Sequence, residues 1–251
     1  MNKFFENRKK ADATALVNAL FKEMRVEEAG EPSLYINPSS LNCPVACAFK
    51  LTGKPVRESV SSFQSRSYAD NGNDRHERIQ AFLSQTDYWV DIEQYIKDKN
   101  LPLEIIEKQG YEVLLLSESE KVKFKCDGML LINGEYYVLE IKTERSSINA
   151  TRTTPNPKHL NQGIAYATLL DVGKIMWIYE GREYLEQKAF SQEVSALEKE
   201  QMRQYLQAIR VWKDEPENLE RNKSQCNYCD YKDYCRMYFN ELKKKELLEN
   251  V

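Results

Sequence analysis

The 251-residue chain has no apolar run approaching the ~20 residues that a membrane-spanning helix needs. Its first ten residues, MNKFFENRKK, lack the apolar stretch of a secretory signal. A cytoplasmic protein with no membrane partner is therefore expected. Positive charge is not in excess either. There are 36 basic and 39 acidic residues, for a net charge of −3. Nothing in the overall charge announces nucleic acid, and the count weighs against tight nonspecific binding. A nuclease is not excluded, since a phosphate-backbone binder needs a local basic surface and not a basic total. There is no internal repeat and no low-complexity tract. A disulfide framework is not expected in an intracellular chain of this length, so the six cysteines read as metal ligands wherever they cluster.

What is present is an ordinary soluble composition, 41% hydrophobic and 30% charged, enough for one domain over residues 1–251 with a proper core. Three- and four-residue spacing of Ala15, Leu16, Ala19, Leu20 and Met24 predicts a helix over 10–28. Ser39 and Ser40 look like caps of a helix start just before Cys43. Further helices are predicted over 74–86, with Ile79, Phe82 and Leu83 on one face and His76 near its beginning, and over 90–99. Strands follow over 111–116 and 122–132, then 136–143 after an Asn133-Gly134 turn. Residues 144–157 read as a mobile loop and 158–170 as a helix. Residues 174–179 and 185–190 read as strands, and 193–212 as a helix with Leu197, Met202, Leu206 and Ile209 as its stripe. The pattern is α/β: a mixed sheet of about five strands flanked by helices, then a cysteine-bearing tail.

With Asn133 and Gly134 as the two loop residues, Ile132 faces Glu135, Gly128 faces Leu139 and Asp127 faces Glu140. Directly opposed Cβ atoms lie about 4.5–5.5 Å apart. Two carboxylates that close repel unless a cation lies between them, and hard oxygen donors suit Mg²⁺ or Mn²⁺. Lys142, two residues beyond Glu140, points to the same face, where its ammonium can orient a water or stabilise a pentacovalent phosphate. Taken alone, Glu-x-Lys in a strand is more often a charged surface ladder. The opposed aspartate and the apolar neighbours Leu139 and Ile141 favour a site. Cys126, next to Asp127, should point to the other face with Leu139 and Ile141, as a small buried hydrophobe.

Asp127 followed after a hairpin by Glu140-Ile141-Lys142 resembles the core of PD-(D/E)XK nucleases. Gly72-Asn73-Asp74-Arg75-His76-Glu77 resembles the histidine motif of the RecB-like branch, and Gln162-Gly163-Ile164-Ala165-Tyr166 its Gln-x-x-x-Tyr motif. The resemblance implies a restriction-endonuclease-like core over about 72–190. It also implies metal ligation by His76, Asp127, Glu140 and the Ile141 carbonyl, catalysis by Asp127, Glu140 and Lys142, and DNA contact by Gln162 and Tyr166. A four-residue helical spacing places Gln162 and Tyr166 on one face, with Leu160, Ile164 and Ala167 free to pack inward.

Three cysteines close the chain as Cys226-x-x-Cys229-x5-Cys235, in an aromatic and basic tail. Cys43 in Ser39-Ser40-Leu41-Asn42-Cys43-Pro44 lies far upstream. The set resembles the iron–sulfur members of the same branch, the CRISPR-associated Cas-four-type exonucleases and AddB-like nuclease domains. That implies a [4Fe-4S] cluster on Cys43, Cys226, Cys229 and Cys235, in a lobe formed by about 36–53 and 221–240. Four thiolates also suit Zn²⁺, and Cys47 competes with Cys43 as the fourth ligand. The basic residue that usually follows the first cysteine in the family is replaced by Val45 and Ala46. The tail tyrosines could stack on single-stranded DNA or simply shield the metal centre. The function implied is a Mg²⁺- or Mn²⁺-dependent deoxyribonuclease, most readily an exonuclease acting on DNA ends or single strands. The settings implied are repair, recombination, phage replication or CRISPR adaptation, with protein partners there. An endonuclease on the same core, or a non-catalytic nucleic-acid-binding subunit with structural zinc, remains open.

Overall fold

A computed structural model describes residues 26–27, 34–56, 60–61 and 63–249. Two units divide the chain, Met1–Glu31 with Glu58–Asn73, and Pro32–Arg57 with Asp74–Val251. In the first, strands β1 (Val26–Glu27) and β2 (Val60–Ser61) pair antiparallel. The helix predicted over 10–28 lies outside the described residues, except that Val26 and Glu27 are extended.

The second unit carries two sheets. Strands β3 (Glu104–Gln109), β4 (Glu112–Ser117) and β5 (Val122–Phe124) form an antiparallel sheet in that order. Strands β6 (Gly128–Ile132), β7 (Glu135–Glu144), β8 (Lys174–Gly181) and β9 (Gln187–Glu193) form the mixed sheet, in which β7 and β8 are parallel and the outer pairs antiparallel. The α/β architecture is as expected, but the single sheet of about five strands is not. The run 122–132, predicted as one strand, breaks at residues 125–127, and its halves belong to different sheets. The Asn133-Gly134 turn does join β6 to β7, with Asn133 at φ 52° and Gly134 at φ 81°, the left-handed pair this tight turn demands. Register runs from Ile132 opposite Glu135 to Gly128 opposite Leu139.

Parallel pairing of β7 with β8 requires a crossover. Helices α4 (Ser146–Thr151) and α5 (Pro157–Leu169) supply it. The segment predicted as a mobile loop is therefore partly helical. Its Ser146 is buried, donating its N–H to Glu183 and its hydroxyl to Glu186 at 3.1 Å. Helix α5 starts on Asn156, whose side chain accepts from Lys158 N–H, with Pro157 at the first helical position. Gly163 brings it close to the sheet, because a Cβ there would sit 2.9 Å from the Trp177 ring.

Of the remaining helices, α1 spans Pro44–Leu51, α2 Phe63–Leu83, α3 Ile92–Lys99, α6 Ala196–Val211 and α7 Lys232–Glu249. Helix α1 begins at Pro44 with Cys43 at the cap position and no side-chain cap; Ser40 instead bonds Asn37 O at 2.6 Å, so the expected serine caps are absent. Helix α2 starts well before residue 74, which places His76 in its second half. Ser195 and Glu198 form a capping box at the start of α6.

The sheet is covered on both faces. Ile79 of α2 packs with Leu130, Leu139 and Ile141 on one face. Val138, Ala165, Ile175, Trp177 and Leu206 belong to the larger core, where each fully buried aliphatic side chain contributes about 1.5–3 kcal/mol. Cys126 is buried as expected but joins this larger cluster, not Leu139 and Ile141, because the break after β5 turns it toward Phe124. Phe82 and Leu197, expected inward, are exposed, whereas Met202, Leu206 and Ile209 are buried. Glu180 of β8 is completely buried, with Arg75 and Arg78 of α2 at 2.8 and 2.6 Å and Gln187 at 3.0 Å. Among the described residues, no helix is long and apolar enough to cross a membrane.

Candidate metal centre and cysteine cavity

Asp127 lies in the gap between β5 and β6, one residue before the ladder with β7 begins. It is therefore not laddered to Glu140 as expected. Its Oδ2 instead accepts the Ile141 N–H at 2.5 Å, satisfying a β7 donor that β6 is too short to reach. The other oxygen, Oδ1, meets His76 Nδ1 at 3.2 Å. Gln80, one turn beyond His76 on α2, donates to the Asp127 carbonyl at 2.8 Å, so α2 grips Asp127 at two points.

Glu140 sits mid-strand in β7, only 3% exposed. Its Oε1 accepts from Gln162 Nε2 at 2.7 Å and pairs with the Lys142 ammonium, which confirms that the two residues share a face. Burial and the charge of Asp127 push the Glu140 carboxyl up to about 8, against the opposing pull of Lys142. Burial alone would lower His76; the hydrogen bond and charge of Asp127, aided by Glu140, outweigh it and hold the imidazole above its ordinary value. A divalent cation would offset the carboxylate charge that contributes to both upward shifts, though not the burial of Glu140.

Three ligand atoms from His76, Glu112 and Asp127 lie within 4.8 Å of one another. Glu112, the first residue of β4, was not among the residues singled out from sequence. It bears no local motif, and it reaches the site only because the second sheet packs there. Its carboxylate also meets Lys125 Nζ at 3.2 Å. Among the described residues Glu140 is in no such three-membered group, so it stands beside this trio and not within it. The donors, one imidazole nitrogen and two carboxylates, suit a divalent cation.

Gln162 and Tyr166 are both buried. Gln162 Nε2 also meets Tyr166 Oη at 2.9 Å, completing a chain from Glu140 through α5. His159, one turn before Gln162, meets Tyr179 Oη at 2.9 Å through Nδ1 and stacks on that ring at 5.8 Å. Burial, then the charges of Lys142, Arg152 and Lys158, pull its imidazole down to about 4.

The cysteine region is built differently. Cys43, Cys226, Cys229 and Cys235 line one cavity of about 180 Å³, together with Phe49 and Arg221. Cys47 is completely buried, and its thiol donates to Ser40 O at 3.4 Å. Among the described residues no three cysteine sulfurs lie within 4.8 Å of one another. A tetrahedral zinc with Zn–S of about 2.3 Å needs sulfurs roughly 3.8 Å apart. Four thiols around one cavity suit a thiolate-ligated metal centre, whether a zinc ion or an iron–sulfur cluster. Phe49 of α1 packs against Tyr231, Tyr234 and Tyr238 with centroids 6.0, 5.0 and 5.7 Å apart, and Arg221 lies 4.3 Å over Phe239. Asn222 donates to Asn42 O at 2.8 Å and Tyr205 to Leu41 O at 2.7 Å. These bonds tie the segment around Leu41 and Asn42 to Tyr205 and Asn222 independently of any metal.

No family model and no curated protein matches the chain. Among solved structures it is similar to SSO0001, at 18% identity over 87% of this chain and 93% of that one, with a TM-score of 0.47. It is also similar to an alkaline exonuclease, LHK-Exo, from Laribacter hongkongensis, in that protein's complex with dAMP, at 12% identity over 74% of this chain and 92% of that one, with a TM-score of 0.45. At these values no residue role passes from either protein to this chain.

Proposed function

We propose that the protein is a Mg²⁺- or Mn²⁺-dependent deoxyribonuclease. The observation that carries this reading is the convergence of His76, Glu112 and Asp127 within 4.8 Å, beside a buried Glu140 paired with Lys142. Three acids and a histidine drawn together, with Lys142 on Glu140 and Lys125 on Glu112, form the kind of charged cluster that functional sites favour. His76, Glu112, Asp127, Glu140 and the Ile141 carbonyl would hold the cation, which supplies Lewis acidity at a phosphoryl oxygen and makes bound water acidic. Lys142 Nζ orients the attacking water and offsets charge on the phosphate as the P–O bond of the diester breaks. Gln162 keeps Glu140 in its rotamer, and Tyr166 braces Gln162. His76 and Gln80 fix Asp127.

A [4Fe-4S] cluster on Cys43, Cys226, Cys229 and Cys235 completes the proposal. The cavity that the four cysteines line and the hydrogen bonding of Cys47 to Ser40 support this ligand set over one that includes Cys47. The aromatic tail then shields the cluster, in keeping with its packing on Phe49.

Degradation of a labelled single-stranded oligonucleotide in Mn²⁺ tests the mechanism. Glu140→Ala and Lys142→Ala should each lower the rate by about 10³-fold or more while binding and circular dichroism persist. Unchanged rates in both variants would sink it. Closed single-stranded circles left intact favour an exonuclease; cut circles assign an endonuclease.

A further inference from the structure

An open cleft of about 420 Å³ lies next to the carboxylate site. Asn37 and Ser39 line it from the turn before α1, Lys123 from β5, and Lys125 from the break that follows. Phe124 and Tyr166 line it as well, and their rings stack with centroids 5.5 Å apart. The cleft is tied to the site on two sides. Tyr166 reaches Glu140 through Gln162, and Lys125 meets Glu112, one of the candidate metal ligands.

Its chemistry is one-sided. No carboxylate lines it. Among the described residues Lys123 makes no ion pair, and the Ser39 hydroxyl and Asn37 amide make no hydrogen bond. Two ammonium groups and two uncommitted polar side chains around a space of nucleotide size suit a phosphodiester. The continuous path from these groups to Glu112 and Asp127 suits a strand whose neighbouring linkage lies at the metal. We propose that this cleft binds the phosphate of the nucleotide adjacent to the cleavage position, with Lys123 as its principal contact and Asn37 and Ser39 as hydrogen-bond donors. This rests on the nuclease reading above.

The test is anisotropy of a fluorescent oligothymidylate titrated with full-length protein, with Ca²⁺ replacing Mn²⁺ so that the strand stays whole, at several salt concentrations. For single strands each phosphate contact contributes about −0.7 to the slope of log affinity against log salt. Lys123→Gln should weaken binding about three- to tenfold and make the slope shallower by about 0.7. Lys97→Gln, on α3 and outside the cleft lining, serves as the control and should change neither. A wild-type slope and affinity for Lys123→Gln, with Glu140→Ala inactive, overturns the cleft assignment and leaves the nuclease reading standing. A reduced slope for Lys123→Gln with Glu140→Ala fully active overturns the nuclease reading instead.

Discussion

The carboxylate site and the cysteine cavity hold their donors in opposite ways. Around Asp127 and Glu140, the protein itself occupies the ligand atoms. Asp127 is bound by Ile141 N–H, His76 and, through its carbonyl, Gln80; Glu140 is bound by Gln162 and Lys142. The cysteine sulfurs have no comparable partners among themselves; they ring a cavity. The first site is pre-organised, so on the proposed reading a cation serves only its chemistry. On the same reading the second is a mould whose filling contributes to folding.

The largest effect should therefore come from the cavity. Cys226→Ser or Cys43→Ser should abolish a broad absorption near ~400 nm and cost roughly 5 kcal/mol, about 10 °C or more in Tm. Cys47→Ala should leave the absorption intact, since its thiol faces Ser40. A colourless wild type carrying stoichiometric zinc would overturn the cluster assignment.

At the carboxylate site the cost should appear in function. Glu112→Gln should weaken Mn²⁺ binding tenfold or more by calorimetry, with Tm of the metal-free protein nearly unchanged. Unaltered affinity would confine the site to His76, Asp127 and Glu140. The smallest effect concerns pH. The His159 imidazole is held down to about 4 in the folded protein, against an ordinary 6.5. The stability it contributes is present above pH 6.5 and is lost as pH falls through about 4. Wild-type Tm should thus drop faster between pH 6.5 and 4 than that of His159→Gln; parallel curves would show that His159 titrates normally.

Local signals carried much of this architecture. Asn133-Gly134 set both the turn and the register of β6 with β7, and the apolar spacing of α5 and α6 placed both helices within a few residues. His76 meets Asp127 and Lys142 meets Glu140, two of the contacts that the motifs suggested. Other features depended on contacts that no local pattern encodes. At the break over 125–127, Asp127 accepts the Ile141 N–H with its side chain instead of joining the ladder. Glu112 joins the site from a second sheet. Helix α4 is stabilised by Glu183 and Glu186, residues far along the chain from Ser146. The exposed Phe82 and Leu197 sat in correct periodic patterns that simply extended past the helix faces the core covers.

Glu180 has a practical bearing on how variants of this protein would be interpreted. It touches neither a candidate ligand nor the cleft, yet it anchors Arg75 and Arg78, the residues flanking His76 on α2. Losing that carboxylate would remove the ion pairs of both arginines, leave Arg75 held by the Gly181 and Arg182 carbonyls, and loosen α2. In a screen scored only by activity, such a substitution would pass for an active-site mutant, although no reacting atom had been touched.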